Sequence, residues 1–89
     1  MVYVDPLLSK KVGAKGEAKM MCHLFADTRD ELLEFAKKIG LKAKNEINEK
    51  GLRHFDLTSA KRKLAINNGA MKLDSSDAIK QWWRIKEKL

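Results

Sequence analysis

Lys19-Met20-Met21-Cys22-His23-Leu24-Phe25-Ala26-Asp27-Thr28-Arg29-Asp30-Glu31-Leu32-Leu33-Glu34-Phe35-Ala36-Lys37-Lys38-Ile39-Gly40 reads as a strand, a cap and a helix in succession. From Lys19 to Ala26, the residues Met20, Cys22, Leu24 and Ala26 fall on one side and Met21, His23 and Phe25 on the other, because side chains alternate along a strand. Both sides are mostly apolar, which suits a central strand covered on both faces. Asp27-Thr28 then ends the alternation. Thr28 and Glu31 are spaced as a capping box, in which each side chain satisfies a backbone donor left over at the helix start. Leu32, Leu33, Phe35, Ala36 and Ile39 follow as one apolar stripe at helical spacing, and Gly40 supplies a left-handed residue to close it.

Upstream, Val2-Tyr3-Val4 is a short strand stopped by Asp5-Pro6, since proline has no N–H to donate. Residues 7–19, with Gly13, Gly16 and several lysines, read as a mobile basic loop. Downstream, Leu41 to Gly51 is polar and turn-forming, and Leu52 to Leu57 alternates again, with Phe55 and Leu57 opposite His54 and Asp56. Thr58 or Ser59 caps a second helix through Ala60, Leu64 and Ala65 that stops at Asn68-Gly69. Met71 to Leu73 is a candidate edge strand. Asp74 or Ser75 caps a C-terminal amphipathic helix over 76–88, with Ala78, Ile79, Trp82 and Trp83 as its apolar stripe. Strands alternating with helices predict an α/β fold: a small three- to four-stranded, partly parallel sheet with three helices, one domain over 1–89. The alternative is an α+β arrangement in which the first two strands pair antiparallel.

The composition narrows the function classes. Eighty-nine residues with 44% hydrophobic content suffice for one small core. A single cysteine, Cys22, excludes a disulfide framework and a Cys-rich zinc module. No apolar run approaches the roughly 20 residues that span a bilayer, and no leader pattern opens the chain, so a cytoplasmic protein without membrane contact is expected. A formal charge of +7 points toward anionic ligands.

The candidate site lies at the strand-to-helix junctions, where ligands bind in open α/β sheets. Asp5, Asp27 and Thr28, Asp56 and Thr58, and Asp74 and Ser75 all stand there, and most such residues are caps. The third junction, His54-Phe55-Asp56-Leu57-Thr58-Ser59-Ala60-Lys61-Arg62-Lys63, is unusual because cations oppose the dipole of a helix start. A bound phosphate, held by free N–H groups and basic side chains, would explain them; lysines reaching into water would explain them as well. His23 and His54 share a site with Asp56 if their strands are neighbours. Their spacing is too loose to assign a metal ligand set, so no metal and no cofactor are expected. Cys22 points away from His23 and reads as core. Lys42, Lys44, Lys50, Arg53, Lys61, Arg62 and Lys63 form a basic run of the kind that binds nucleic acid, although no exposed aromatics are interleaved with it. Trp82 and Trp83 lie about 100° apart on a helix, so one packs inward and the other is available for self-association or for stacking on a base.

Val2-Tyr3-Val4-Asp5, Cys22-His23-Leu24-Phe25-Ala26-Asp27-Thr28 and His54-Phe55-Asp56-Leu57-Thr58, followed by Lys61-Arg62 and closing at Gly69-Ala70, together resemble a small bacterial and phage family of unknown function (DUF4031) over about residues 2–73. Members of that family often carry Trp where Met21 stands. The resemblance implies no activity and no catalytic residue; it marks Asp5, His23, Asp27, His54, Asp56, Thr58, Lys61 and Arg62 as motif positions. The expected function is non-enzymatic binding of a phosphorylated small molecule by a homo-oligomer. A nucleotide or cyclic nucleotide signal is the leading ligand, by analogy with phage anti-defence proteins that sequester such signals. His23, His54, Asp56, Thr58, Ser59, Lys61 and Arg62 are the expected ligand contacts, with Asp5 and Asp27 in addition. The alternatives are a nucleic-acid-binding accessory protein and a small phosphoesterase using the paired His and Asp residues.

Overall fold

The strand at the head of that stretch is the centre of a mixed sheet. A computed structural model describes residues 1–12, 16–49 and 52–88, with the backbone alone at Lys10, Lys11 and Val12. The turns expected at Gly13 and Gly51, together with Lys15 and Lys50, lie outside the described residues. The elements are β1 (Val2–Val4), β2 (Leu8–Val12), β3 (Glu17–Ala26), α1 (Arg29–Lys38), a 3₁₀ turn at Ala43–Asn45, β4 (Ile47–Glu49), β5 (Leu52–Thr58), α2 (Ser59–Asn67), β6 (Met71–Lys72) and α3 (Ser75–Glu87). The sheet runs β4-β5-β3-β1-β6, and β2 pairs with β3 beside that path. β1 and β6 are parallel; the other pairs, including the first two strands of the sequence reading, are antiparallel.

The α/β class, the three helices and the partly parallel sheet are as expected, but the sheet has six strands rather than three or four. The two extra strands have a common physical explanation. Within the expected loop over 7–19, the described residues Leu8–Val12 and Glu17–Met21 pair as an antiparallel ribbon. Glu17 to Met20 are exposed, so no apolar alternation marks this ribbon. β4 is likewise exposed along its length, and its polar residues read as turn formers.

Alternation along β3 sorts the core into two layers. Cys22, Leu24 and Ala26 join Val4, Phe55 and Leu57 under α1 and α2, around Leu32, Ala36, Ile39 and Ala65. Phe25 joins Tyr3 and Leu52 under α3, against Ala78, Ile85 and Trp82. Phe25, Phe55, Leu24 and Leu57 are fully buried, each contributing about 1.5–3 kcal/mol of transfer free energy. α3 starts one residue before the expected boundary, and Ile79 of its expected apolar stripe is 60% exposed while Ile85 takes the inward position.

The helix ends follow the sequence closely. Thr28 Oγ1 accepts from Glu31 N, and Thr58 Oγ1 accepts from Lys61 N. Asp74, rather than Ser75, caps α3 by accepting from Asp77 N. Gly40 (φ +79°) ends α1 with Gly40 N donating to Lys37 O and Leu41 N to Ala36 O, and Gly69 (φ +103°) ends α2 in the same way. An L side chain in the left-handed region costs about 1–2 kcal/mol. Gly40→Ala is therefore expected to lower the unfolding free energy by that amount in a urea titration.

Candidate functional site

β1, β3 and β5 bring four of the predicted polar residues together, Asp5, His23, His54 and Asp56. His23 pairs with Asp56 across β3 and β5, and Asp5 extends the β1–β3 ladder by donating its N–H to His23 O at 3.3 Å. Asp5 grips His23 by two further bonds. Its Oδ1 accepts from His23 N at 2.6 Å, and its Oδ2 lies 2.7 Å from His23 Nδ1. A carboxylate only accepts, so Nδ1 carries a proton and Nε2 faces away from Asp5. That nitrogen lies 4.0 Å from Asp56 Oδ1, and His54 Nε2 lies 3.6 Å from the same oxygen, both beyond hydrogen-bond distance.

His54 is 2% exposed. Burial, and then the neighbouring His23, lower its pKa from the ordinary histidine value, so it is a neutral imidazole at pH 7. Its Nδ1 is buried without a well-formed hydrogen bond, although the Leu52 backbone lies close enough to favour a proton there. Trp82 covers the pair: its ring centroid stands 5.6 Å from His23 and 5.3 Å from His54, and the two imidazoles meet edge to face at 5.2 Å.

Outside this cluster a groove of about 500 Å³ runs between α3 and the β1–β2 connection. Asp5, Pro6, Leu8 and His23 line one wall, Ile79, Trp82, Trp83 and Lys86 the other, with Ser75, Ala78 and Glu49 completing it. Trp83 is 56% exposed, and Lys86 Nζ sits 5.2 Å from its ring centroid. One tryptophan therefore packs inward and its neighbour lies open, as their angular separation requires.

Thr58, Ser59, Lys61 and Arg62 do not line the groove. Thr58 is a cap. Lys61 Nζ donates to Ile39 O at the end of α1, where a cation suits the dipole. Arg62 Nε donates to Asp5 O, so it steadies the residue that orients His23. Asp27 lies apart, accepting from Tyr3 Oη at 2.9 Å and Gln81 Nε2 at 2.9 Å. Burial pulls its pKa upward, but these hydrogen bonds prevail and hold it below the usual carboxylate range. Cys22 is core: burial pushes its thiol up to about 12, leaving it inert as a nucleophile. The basic run is also partly committed, because Arg53 shares Glu46 with Arg29 at 2.9 and 3.0 Å.

Sequence reasoning missed the groove wall contributed by Leu8, Ile79 and Lys86. The open tryptophan was its one visible sign. Among the described residues no helix is long and apolar enough to cross a membrane.

Comparison with known proteins agrees with the motif blocks. Residues 2–84 match the model of a family described as protein of unknown function (DUF4031), and the chain belongs to that family. No curated protein and no solved structure matches it.

Proposed function

We propose that this DUF4031 protein binds a phosphorylated small molecule with a planar base, a nucleotide or cyclic nucleotide, in the groove beside α3. The observation that carries the reading is an open tryptophan face, Trp83, opposite a carboxylate-oriented imidazole, His23, across a groove of about 500 Å³. That volume lies within the roughly 300–1,000 Å³ common for small-molecule sites. An aromatic base would stack on Trp83, and its phosphate would reach Lys86 within a chain of net charge +7. Sequestration of a nucleotide signal in the cytoplasm is the role such a site would serve.

The test is a panel of thermal melts with mono-, di- and cyclic nucleotides and with short DNA and RNA, each at two salt concentrations. One nucleotide is expected to raise the melting point at both salts, with about 2.7 kcal/mol of added stability at a hundredfold excess over Kd. Trp83→Ala should abolish that shift, since the ring is exposed and its removal spares the core. Shifts with polymers alone, vanishing at high salt, would transfer the assignment to nucleic acid. If Trp83 serves self-association instead, Trp83→Ala would change the elution volume and leave ligand melts unaltered.

A second reading, phosphate-ester hydrolysis, is favoured by the Asp5–His23 pair, because a carboxylate-held imidazole is a competent general base. It predicts that the bound ester is converted on prolonged incubation; an ester recovered intact would exclude it.

A further inference from the structure

His23, His54 and Asp56 each place one metal-ligating atom within 4.8 Å of the other two. Bonds of about 2.0–2.2 Å at tetrahedral angles put ligand atoms roughly 3.4 Å apart. The distances of 3.6 and 4.0 Å from Asp56 Oδ1 to the two Nε2 atoms are close to that spacing. Asp56 and His23, both partly exposed, would have to shift toward His54 to bring the set to bonding distance.

One feature outside the three ligands points the same way. Asp5 holds Nδ1 of His23 and so turns Nε2 toward the cluster. A carboxylate behind a histidine is the usual outer partner of a metal-bound imidazole. His54 is 2% exposed, and its Nδ1 makes no well-formed hydrogen bond. An ion at Nε2 would leave the His54 proton on Nδ1, and the Leu52 backbone lies near this ring.

The geometry points to a divalent transition-metal site formed by His23, His54 and Asp56, with Asp5 as the positioning carboxylate of His23. Two imidazoles and one carboxylate select zinc, cobalt or a similar ion over magnesium and calcium, which prefer all-oxygen shells. Three protein ligands leave a coordination position open. His23 also lines the groove, so the site borders it. The site does not depend on the nucleotide reading and is tested without any nucleotide.

The experiment uses untagged protein, stripped with a chelator and dialysed, titrated with Zn²⁺ by calorimetry and with Co²⁺ by visible absorption and tryptophan fluorescence. One equivalent is expected, with the intense visible bands of four-coordinate Co²⁺. Emission should be quenched, because Trp82 lies 5.3–5.6 Å from both imidazoles. Mg²⁺ should not compete. His23→Asn and Asp56→Asn preserve size and are expected to abolish the bands, with melting curves confirming that each variant folds. Asp5→Asn removes no ligand and should weaken binding about 10–100-fold. Failure of the unmodified protein to bind one equivalent, or undiminished binding in the three variants, would overturn the assignment.

Discussion

Trp82→Ala is expected to lower the unfolding free energy by about 3 kcal/mol, the lower end of the range for removing a large aromatic from a core. The lower end applies because Trp82 is only partly buried. Its ring nevertheless joins α3 to the sheet at three points: Phe25 at 5.4 Å, His54 at 5.3 Å and His23 at 5.6 Å. The two histidines and Phe25 sit on one face of β3 and β5, and α3 packs against that face. Without the indole, α3 is held chiefly by Ala78 and Ile85, and water reaches His54. Trp82→Phe, which keeps an aromatic over the imidazoles, should recover more than half of the loss. Urea unfolding of the two variants measures both values. Equal stability of Trp82→Ala and the unmodified protein would mean that α3 is held by other contacts.

Asp5→Ala is expected to cost about 2–3 kcal/mol, because two donors of His23 lose a charged acceptor, one of them a backbone N–H. The effect separates into two parts. Asp5→Asn keeps a carbonyl oxygen for the His23 N–H but offers an amide group where Nδ1 needs an acceptor. That variant should retain roughly half of the stability and lose the fixed tautomer. Ring-nitrogen shifts in NMR report the tautomer directly: His23 should be protonated at Nδ1 in the unmodified protein and mixed in Asp5→Asn. An unmixed Nδ1 tautomer in Asp5→Asn would show that Asp5 does not set it.

Arg62 illustrates what a sequence reading of charge misses. Its place near a helix start suggests an anion, yet Nε donates to the Asp5 carbonyl, a residue far away in the chain. Lys61 is similar, closing the carbonyl end of α1 rather than leaving its ammonium in water. Both long side chains reach backbone acceptors that only folding brings near, so nothing in the local pattern could signal them. The β2–β3 ribbon escaped for the opposite reason. Leu8, Ser9 and Glu17 to Met20 are exposed, and a strand without a buried face leaves no apolar alternation to read.

Local chemistry was legible wherever one residue type meets one local demand. The alternation of Cys22, Leu24 and Ala26 against His23 and Phe25, the cap at Thr28, and the left-handed ends at Gly40 and Gly69 were determined by the sequence itself, because each depends on neighbours within a few positions. The same alternation put His54 and Asp56 on one face of β5. What only the tertiary structure decided was the pairing of β3 with β5 and the choice of α3 to cover them. The first places His23 opposite Asp56; the second lays Trp82 over both imidazoles. These contacts join segments separated by some 30 to 60 positions in the chain. They are set by which apolar faces bury most surface together, a property of the whole chain that no single stretch contains.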